Sequence, residues 1–375
     1  MRVAIVTGIW PPDVGGPASH APEVAEVLRS RGHEVEVVTT AERAPTPEPY
    51  SVRWVSRRQP VFLRYARGAL LVARVARRAD VVYSTGMYGR TCIGSSLART
   101  PRVVKLTGDP AYERAIRYGL TREPVEEFQR SRSLRVAWLK IMRDLTLVGA
   151  QRYLCPSASL GAVAARWHLV PSGRIEVLPN PIGIPELGPR DELRRRHGFA
   201  GPTLVFAGRL SVQKSLDVAL RAVARCDGVA LVVAGDGPEG PVLEALAAEL
   251  GIGDRVRFLG ARPRSAVLEL LAAADAELLS SGWENFPHAL VEGLAAGTPV
   301  IATDVGGVGE IVDDGVNGLL VPPGDVDALA AAIGRFFADG ALQESLRTAA
   351  PGSVERFAPE PVYDRLEVLL REAAA

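Results

Sequence analysis

The sequence predicts an α/β protein made of two doubly wound domains, each a parallel sheet covered by helices on both faces. Its 375 residues are enough for two domains of ordinary size. Both halves alternate short, β-branched apolar runs with helical stretches, which is the pattern of a parallel sheet. A segment rich in Pro and Gly, residues 179–189, separates the halves, because neither a helix nor a central strand tolerates that many prolines.

The elements of the first half follow from this alternation. Strands are predicted over residues 2–7, 34–39, 52–55, 80–84, 102–106, 152–155 and 175–178. Helices are predicted over residues 18–31, 61–78, 88–98, 125–149 and 159–167. The second half has predicted strands over residues 203–207, 229–234, 255–259, 276–279, 300–302 and 318–321, and a last helix over 361–371. We expect domains at 1–182 and 183–355, with residues 356–375 forming a helix that returns to the first domain.

Composition narrows the class of protein. With 47% hydrophobic and 23% charged residues, the chain is neither disordered nor fibrous. Three separated cysteines without a CxxC pair fit a reducing cytoplasm better than a disulfide framework or a zinc site. Residues 1–190 carry a net charge of +12 and residues 191–375 a net charge of −11. The basic half suggests a domain that meets an anionic surface or substrate, and no nucleic-acid partner is expected.

A glycine pair, Gly15 and Gly16, lies between the first predicted strand and the following helix. Glycines let the backbone approach a ligand closely, and a helix N-terminus favours anions. A plain strand-to-helix turn is the alternative, and the residues alone leave both open.

Two cations, Arg209 and Lys214, follow the first strand of the second half, with Lys214 expected in the first turn of the next helix. Cations normally avoid a helix start because they oppose its dipole. A diphosphate held between them would explain the placement. Two solvated surface cations are the alternative.

The most informative segment is residues 281–293, SGWENFPHALVEG. Pro287 suits the first position of a helix, which places Glu284 in the loop and Glu292 on the second turn. Eight helical positions span about 12 Å, whereas the paired carboxylates of a retaining glycosidase stand about 5–5.5 Å apart. We therefore expect the two glutamates to hold different parts of one long ligand, and the helix N-terminus to accept phosphate oxygens.

Two other motifs are interpreted as structural. Residues 235–240, GDGPEG, match the GxGxxG of dinucleotide-binding proteins, but they follow the second strand of their half and lack the later acidic residue. Asp325 and Asp327 imitate a metal-binding DxD, yet they open a predicted helix that aspartates would cap. No metal site is expected.

The first half offers fewer candidates. Lys105 and Asp109 follow one predicted strand, and Asp109 could either serve a function or cap the next helix. Of the five histidines, only His20 and His288 lie near the proposed loops.

These motifs together resemble glycosyltransferase family 4, a family of retaining enzymes of the GT-B fold that use nucleotide sugars. The fold this implies is two Rossmann-like domains facing a central cleft, with the acceptor on the first domain and the donor on the second. The residues that carry the resemblance are Gly15-Gly16, His20, Arg209, Lys214, Gly235-Asp236-Gly237-Pro238, Glu284, Glu292, Ala296-Gly297-Thr298-Pro299-Val300 and the glycine-rich run from Gly306 to Asp325. The match covers essentially the whole chain and is most specific over residues 203–325.

The resemblance implies a role for each matching residue. Arg209 and Lys214 would hold the donor diphosphate, Glu292 the ribose hydroxyls, and Glu284 a hydroxyl of the transferred sugar. The other donor-side positions are Gly15, Gly16, Arg262, Asn285, Phe286, Pro287 and His288; the acceptor-side positions are His20, Lys105 and Asp109. Many members carry a histidine where this sequence continues from Lys105 to Asp109, so Asp109 becomes the substitute catalytic candidate.

The implied reaction is retaining transfer of a hexosyl group from a UDP- or GDP-sugar to the hydroxyl of a glycan, small-molecule or lipid-linked acceptor. It needs no metal or other cofactor, because cations and helix N-termini stabilise the leaving diphosphate. An NAD-dependent oxidoreductase built on residues 235–240 and a non-catalytic sugar-nucleotide binding protein are the alternatives.

Two arginine-rich stretches of the first half, residues 57–78 and 130–143, also carry apolar side chains. On a helix, Arg67, Arg74 and Arg78 would share one face, and the second stretch includes Trp138. Interfacial helices use such stripes on anionic lipid. A peripheral contact at the inner face of the membrane is therefore one expectation; a solvated arginine face and an anionic soluble acceptor are the others.

Overall fold

The computed structural model describes residues 1–13, 16–121, 123–183 and 186–375, and for residues 16–19 the backbone alone. The chain divides into two compact units, residues 1–180 with 360–375 and residues 181–359. Each unit contains one sheet whose strands are all parallel, so the predicted α/β class with two doubly wound sheets is confirmed.

The first unit begins with three strands, β1 (Arg2–Val6), β2 (Glu34–Ala41) and β3 (Ser51–Ser56), and continues with β4 (Val81–Ser84), β5 (Arg102–Lys105), β6 (Arg152–Cys155) and β7 (Ile175–Val177). Its helices are α1 (Gly16–Ser30), α2 (Val61–Ala76), α3 (Tyr88–Ala98), α4 (Pro110–Arg117), α5 (Val125–Arg130), α6 (Leu134–Leu147) and α7 (Ala158–Ala164). The strand order is β3-β2-β1-β4-β5-β6-β7.

The second unit contains β8 (Thr203–Ala207), β9 (Ala230–Ala234), β10 (Val256–Phe258), β11 (Ala276–Leu279), β12 (Val300–Thr303) and β13 (Gly318–Val321), in the order β10-β9-β8-β11-β12-β13. Its helices are α8 (Arg190–His197), α9 (Leu216–Ala224), α10 (Gly240–Glu249), α11 (Arg264–Ala273), α12 (His288–Ala295), α13 (Val326–Ala338) and α14 (Gly340–Ser353). The last helix, α15 (Pro359–Ala374), belongs to the first unit from residue 360 onward.

Side-chain alternation along the strands builds a core on each face of the first sheet. Val3 and Ile5 of β1 pack with α1 and with Leu366 of α15. Their neighbours Ala4 and Val6 pack on the other face with α2. The first sheet is therefore covered on both faces, as a parallel sheet requires.

The strand order reverses between β1 and β4 in the first sheet and between β8 and β11 in the second. Ligands of doubly wound sheets bind at the carboxyl ends of the strands, where this reversal leaves a crevice. We therefore expect a ligand site in the loops that follow these four strands.

The helix predicted over residues 125–149 is wrong, since the structure has two helices, α5 and α6, separated by residues 131–133. Ser131 and Ser133 both have extended backbone, with ψ of 131° at each. Serine favours such conformations because its hydroxyl competes for backbone hydrogen bonds. Helix α8 was not predicted either, because it buries only Leu193 and so lacks apolar periodicity.

No helix of the described residues is both long enough and apolar enough to span a bilayer.

Candidate functional site

An ion pair stands at the strand reversal of the second sheet. Lys214 Nζ donates to Glu284 Oε1 at 2.6 Å, and Ser281 Oγ donates to the same oxygen at 2.6 Å. Lys214 lies in the loop after β8 and Glu284 in the loop after β11, and these strands are neighbours. The fold thus brings together two residues that were singled out separately in the sequence.

Backbone contacts fasten the loops that carry this pair. Gly282 N donates to Gln213 O at 2.8 Å, and Gln213 Nε2 donates to Trp283 O at 3.0 Å. Ser280 Oγ lies 3.1 Å from Lys214 O and 2.9 Å from Ser215 O. The ammonium and the carboxylate are therefore held by rigid loops, which suits a preorganised site.

The prediction that Lys214 lies in the first turn of a helix is wrong, because Lys214 precedes α9. Lys214 ends a short 3-10 turn, Val212–Lys214, and α9 begins only at Leu216. Ser215 between them has a left-handed φ of 43°, which interrupts the helical path. Pro287 is likewise the N-cap of α12 rather than its first residue, because its ψ of 102° is extended. Glu292 does fall on the second turn, as predicted.

Arg209 is exposed at the carboxyl end of β8. Among the described residues Arg209 forms no ion pair, and no hydrogen bond joins it to Lys214 or Glu284. Its place at the strand end agrees with the prediction, while its role toward an anion stays a prediction.

Glu292 is paired with a residue that the sequence analysis missed. Arg264 Nε donates to Glu292 Oε1 at 2.6 Å, and Arg264 Nη2 donates to Gly183 O at 2.7 Å. Arg262, the predicted base-pocket residue, lies two positions before Arg264, is exposed, and forms no ion pair with Glu292 within the described chain. The missed signal was a cation at a helix start, since Arg264 is the first residue of α11.

The loop after β12 supports the backbone of Glu284. Gly307 N donates to Glu284 O at 3.2 Å. Gly306 has a φ of 52°, and a Cβ there would fall well inside 3.0 Å of the same carbonyl. Gly306 is therefore needed for the loop to reach the site, whereas Gly307, with a φ of −83°, contributes only its backbone amide.

The residues between the two glutamates have different surroundings. Phe286 is buried, with its ring 5.8 Å from the His288 ring and 5.3 Å from the Phe357 ring, both edge to face. Pro287 is buried, Asn285 is half-buried, and His288 is exposed at the first position of α12. The Phe286 side chain therefore anchors the loop, so any ligand contact at this position falls to the backbone.

A buried glutamate behind the site was missed entirely. Glu277 of β11 is fully buried, and neither carboxylate oxygen has a hydrogen-bond partner among the described residues. A Cβ on Gly293 of α12 would fall well inside 3.0 Å of Glu277 Oε2. Burial raises the pKa of Glu277 well above its ordinary value, repulsion from Glu292 adds to this, and Lys214 opposes it.

The glycines of residues 235–240 serve loop packing. A Cβ on Gly235 would collide with Gly208 O, and one on Gly237 would collide with Leu210 O. The backbone that these glycines admit is that of the loop after β8. The alternative of a dinucleotide site here is not favoured.

In the first unit, His20 of α1 hydrogen-bonds with the hydroxyl of Tyr83 at 3.1 Å, next to the strand reversal. The backbones of Gly8 and Gly86, which follow β1 and β4, lie in close contact, since a Cβ on Gly86 would lie 2.8 Å from Gly8 N.

Of the predicted glycine pair, Gly15 lies outside the described residues. Gly16 is the first residue of α1, two positions before the predicted start.

Lys105 and Asp109, the other acceptor-side candidates, are bonded to their own unit. Lys105 is buried, and its Nζ donates to the carbonyls of Leu178 and Pro179. Burial lowers the pKa of Lys105 to about 7, against an opposing effect of Cys155. Because both carbonyls belong to the backbone just after β7, the Lys105 side chain fixes the end of that strand.

Asp109 is the N-cap of α4. Its Oδ1 accepts from the amides of Ala111 at 2.8 Å and Tyr112 at 3.3 Å. Its Oδ2 accepts from Gln129 Nε2 at 2.8 Å and from Arg143 Nη1 at 2.9 Å. A general base must reach the proton it removes, and a buried carboxylate with four donors is poorly placed for that. The geometry favours the capping alternative over a catalytic role.

No three His, Cys, Asp or Glu side chains converge as metal ligands within the described residues. Asp325 caps α13 by accepting from Ala328 N at 2.9 Å, and Asp327 pairs with Arg225. The capping interpretation is confirmed for Asp325, whereas Asp327 lies in the first turn of α13 without a capping bond among the described residues.

Two consecutive units, each built on one all-parallel sheet, are the architecture of the GT-B fold. Residues 189–352 match the sequence profile of the glycosyl transferases group 1, and residues 14–184 match that of Glycosyltransferase Family 4. The chain therefore belongs to the family 4 glycosyltransferases.

Proteins with similar sequences agree with this assignment. An uncharacterized glycosyltransferase of Methanocaldococcus jannaschii is 28% identical over 92% of this chain and 91% of its own length. A D-inositol 3-phosphate glycosyltransferase of Mycobacterium marinum is 37% identical, but the match spans 48% of this chain and only 39% of that protein.

Solved structures share the fold. Anabaena HepE, crystallised in complex with UDP-glucose, is 22% identical with a TM-score of 0.81, and the match covers 99% of this chain and 100% of that one. Sucrose-phosphate synthase from Thermosynechococcus elongatus is 21% identical with a TM-score of 0.82, over 99% and 98% of the two chains.

Proposed function

We propose that this chain is a retaining glycosyltransferase that moves a hexosyl group from a UDP- or GDP-sugar to an acceptor hydroxyl without a metal ion. The observation that carries the proposal is the Lys214–Glu284 pair at the carboxyl ends of β8 and β11. Similarity to HepE, whose crystals contain UDP-glucose, supports a nucleotide-sugar donor.

The donor diphosphate is assigned to Lys214 and Arg209. Lys214 is held by one carboxylate oxygen, so its ammonium can turn part of its donors toward phosphate while it stays bonded to Glu284. Negative charge grows on the diphosphate as its bond to the anomeric carbon breaks. Fixed cations stabilise that charge without reorganising at the moment of reaction.

The two glutamates are assigned to the two ends of the donor. Lys214 and Ser281 both bond Oε1 of Glu284, which leaves Oε2 for a hydroxyl of the transferred sugar. Glu292 pairs with Arg264 through Oε1 and is assigned to the ribose hydroxyls. The division follows from their places, one in the loop after β11 and one on the second turn of α12.

The anomeric configuration is retained if the acceptor hydroxyl attacks the anomeric carbon from the face that the diphosphate leaves. The bond between the anomeric carbon and the phosphate oxygen breaks, the bond to the acceptor oxygen forms, and the hydroxyl proton passes to the leaving phosphate. No enzymic nucleophile takes part. The acceptor, whether glycan, small molecule or lipid-linked, is assigned to the first unit, and a cytoplasmic location stays a prediction.

Turnover of Lys214→Ala tests the proposal. The purified chain is incubated with UDP- and GDP-sugars and a panel of acceptors, product is measured by mass spectrometry, and NMR gives the anomeric configuration. Loss of one charge-assisted donor to the developing anion should lower turnover by about 10²–10³. Arg221→Ala, an exposed cation on α9, is the matched control.

Turnover of Lys214→Ala within threefold of the parent chain would overturn the diphosphate assignment. Inversion of the anomeric configuration would overturn the retaining mechanism. Nucleotide binding without turnover of any acceptor would favour the non-catalytic binding protein instead.

A further inference from the structure

Three helices of the first unit, α2, α3 and α6, form one continuous layer on the sheet. Helix α3 packs between the other two. The contact is closest at Gly89 of α3, where an added Cβ would collide with the Tyr65 hydroxyl of α2 and lie 3.0 Å from the Thr146 side chain of α6. The outward faces of the three helices therefore form a single surface, which we call the three-helix face.

Helix α6 contributes an apolar stripe to this face. Residues four, three, four and three positions apart line one side of a helix, and every member of the stripe is a large apolar residue in an exposed position. The stripe consists of Leu134, Trp138, Ile141 and Leu145 of α6 and of Val148, the C-cap of that helix. Leu134 is 87% exposed and Trp138 59% exposed. The opposite side of α6 makes its core contacts, so the sheet does not account for the stripe.

Helices α2 and α3 add an apolar groove of about 860 Å³. It is lined by Val61, Phe62, Tyr65, Leu70, Ile93 and Leu97. Phe62 is 71% exposed and Leu70 64% exposed. Exposed apolar surface that is contiguous over several helices marks an interaction site.

The segment that contains α2 and α3 is strongly basic, whereas the residues just before α6 include the exposed acids Glu123, Glu126 and Glu127. Residues 49–108 carry twelve Arg and Lys against a single acid, Asp80. Asp80 accepts from Arg2 N at 2.7 Å, just before β4. On α2, Arg67 and Arg74 are exposed, and no carboxylate of the described residues pairs with either.

The other arginines of the two basic stretches differ in exposure, since some lie on the surface and Arg143 is buried. Arg90 lies against the groove, with its guanidinium 5.6 Å from the Tyr65 ring centre. Arg77 is an exposed C-cap, and Arg78 lies beyond the end of α2, so the predicted helical face retains only Arg67 and Arg74. Arg143 drops out of the predicted basic stretch, because it is buried against Asp109 and Asp144.

We propose that the three-helix face docks on an anionic lipid bilayer. A bilayer supplies both things this face requires, anionic headgroups for the arginines and an apolar layer for Phe62, Leu134 and Trp138. A second copy of the chain would instead bring like charges together. The inference concerns binding alone and does not depend on the proposed chemistry.

Vesicle sedimentation with the full chain tests the charge. The chain should bind vesicles that contain phosphatidylglycerol, bind those of pure phosphatidylcholine weakly, and be released by high salt. Reversing Arg67, Arg74 and Arg77 to glutamate should lower the partition coefficient about a hundredfold or more, since each arginine contributes roughly fivefold. The matched control reverses Arg195, Arg221 and Arg335, three exposed arginines of the second unit, for the same change in net charge.

Fluorescence tests the apolar stripe. The emission of Trp138 should shift to the blue on anionic vesicles, and Trp138→Phe should lose the shift while still sedimenting. Leu134→Ser with Trp138→Ser should weaken sedimentation although every charge is retained. Circular dichroism checks that each variant is folded.

Absence of binding to anionic vesicles at low salt would overturn the proposal. So would equal losses in the two arginine triples. A dimer in analytical ultracentrifugation that Leu134→Ser disrupts, together with no vesicle binding, would assign the face to self-association instead.

Discussion

Glu277 and Gly293 should behave as a matched pair, and a double-mutant cycle can measure their coupling. Glycine inside a helix costs about 1 kcal/mol relative to alanine. Helix α12 nevertheless has Gly293, because a Cβ there would fall well inside 3.0 Å of Glu277 Oε2. The glycine thus makes room for a buried carboxylate.

The magnitudes follow from this geometry. In the parent chain, Gly293→Ala gains about 1 kcal/mol of helix propensity and loses about 1–3 kcal/mol by overpacking, so it should be neutral to destabilising. Glu277→Leu removes both oxygens and a buried polar group without a partner, which relieves a desolvation cost of about 1–3 kcal/mol. In that background Gly293→Ala should stabilise by about 1 kcal/mol. The coupling free energy is then about 1–3 kcal/mol.

The pH dependence provides a second readout. The pKa of Glu277 is raised in the folded state, so the folded chain holds a proton that the unfolded chain loses above its carboxyl pKa of about 4.3. The contribution of Glu277 to stability is therefore full below that pKa and falls as pH rises toward the folded pKa. Its slope is at most about 1.4 kcal/mol per pH unit.

Urea titrations at several pH values, followed by hydrogen exchange of the β11 amides, measure both effects. Glu277→Leu should flatten the decline in stability above the unfolded carboxyl pKa. Equal effects of Gly293→Ala in both backgrounds would refute the packing argument. An unchanged pH slope in Glu277→Leu would refute the assignment of the proton.

Three further predictions concern the candidate site. Glu292→Gln should weaken binding of free UDP or GDP, whereas Glu284→Gln should leave that binding nearly intact and lower turnover; calorimetry beside kinetics checks this, and equal losses of affinity would contradict the division. Turnover should survive EDTA, and a complete loss that Mg²⁺ or Mn²⁺ restores would contradict metal independence. Asp109→Asn should destabilise the first unit in urea unfolding by up to about 3–5 kcal/mol, because the buried Arg143 charge loses a partner; a hundredfold fall in kcat of the folded variant would restore Asp109 as a catalytic candidate.

The strands of the second unit were predictable because buried parallel strands are short apolar runs between turn signals. The bounds of β8, β11 and β13 coincide with the predicted ones. Arg209 and Lys214 stood out because cations near a helix start oppose its dipole, and a residue that violates a local rule often marks a function.

Other parts of the site required three dimensions. Glu277 sits in a strand that otherwise reads as apolar, and only the packing of α12 on β11 shows that its carboxylate is enclosed. The pairing of Glu292 with Arg264 depends on how α11 and α12 lie side by side. Sequence separation conceals such contacts, although the position of Arg264 at a helix start was a usable signal.

Asp109 and Glu284 show why a charged residue after a strand is ambiguous in sequence. Each follows a strand of a parallel sheet, and each is buried. Asp109 accepts four hydrogen bonds, two at each oxygen, all from its own unit. The two bonds that Glu284 accepts from described residues both reach Oε1, and one comes from a cation at the strand reversal. A carboxylate whose four acceptor positions are all filled has none left for a ligand. A carboxylate at a strand reversal with one oxygen that accepts no protein hydrogen bond can still bind a ligand. The distribution of bonds over the two oxygens therefore separates the roles that residue type and position left open.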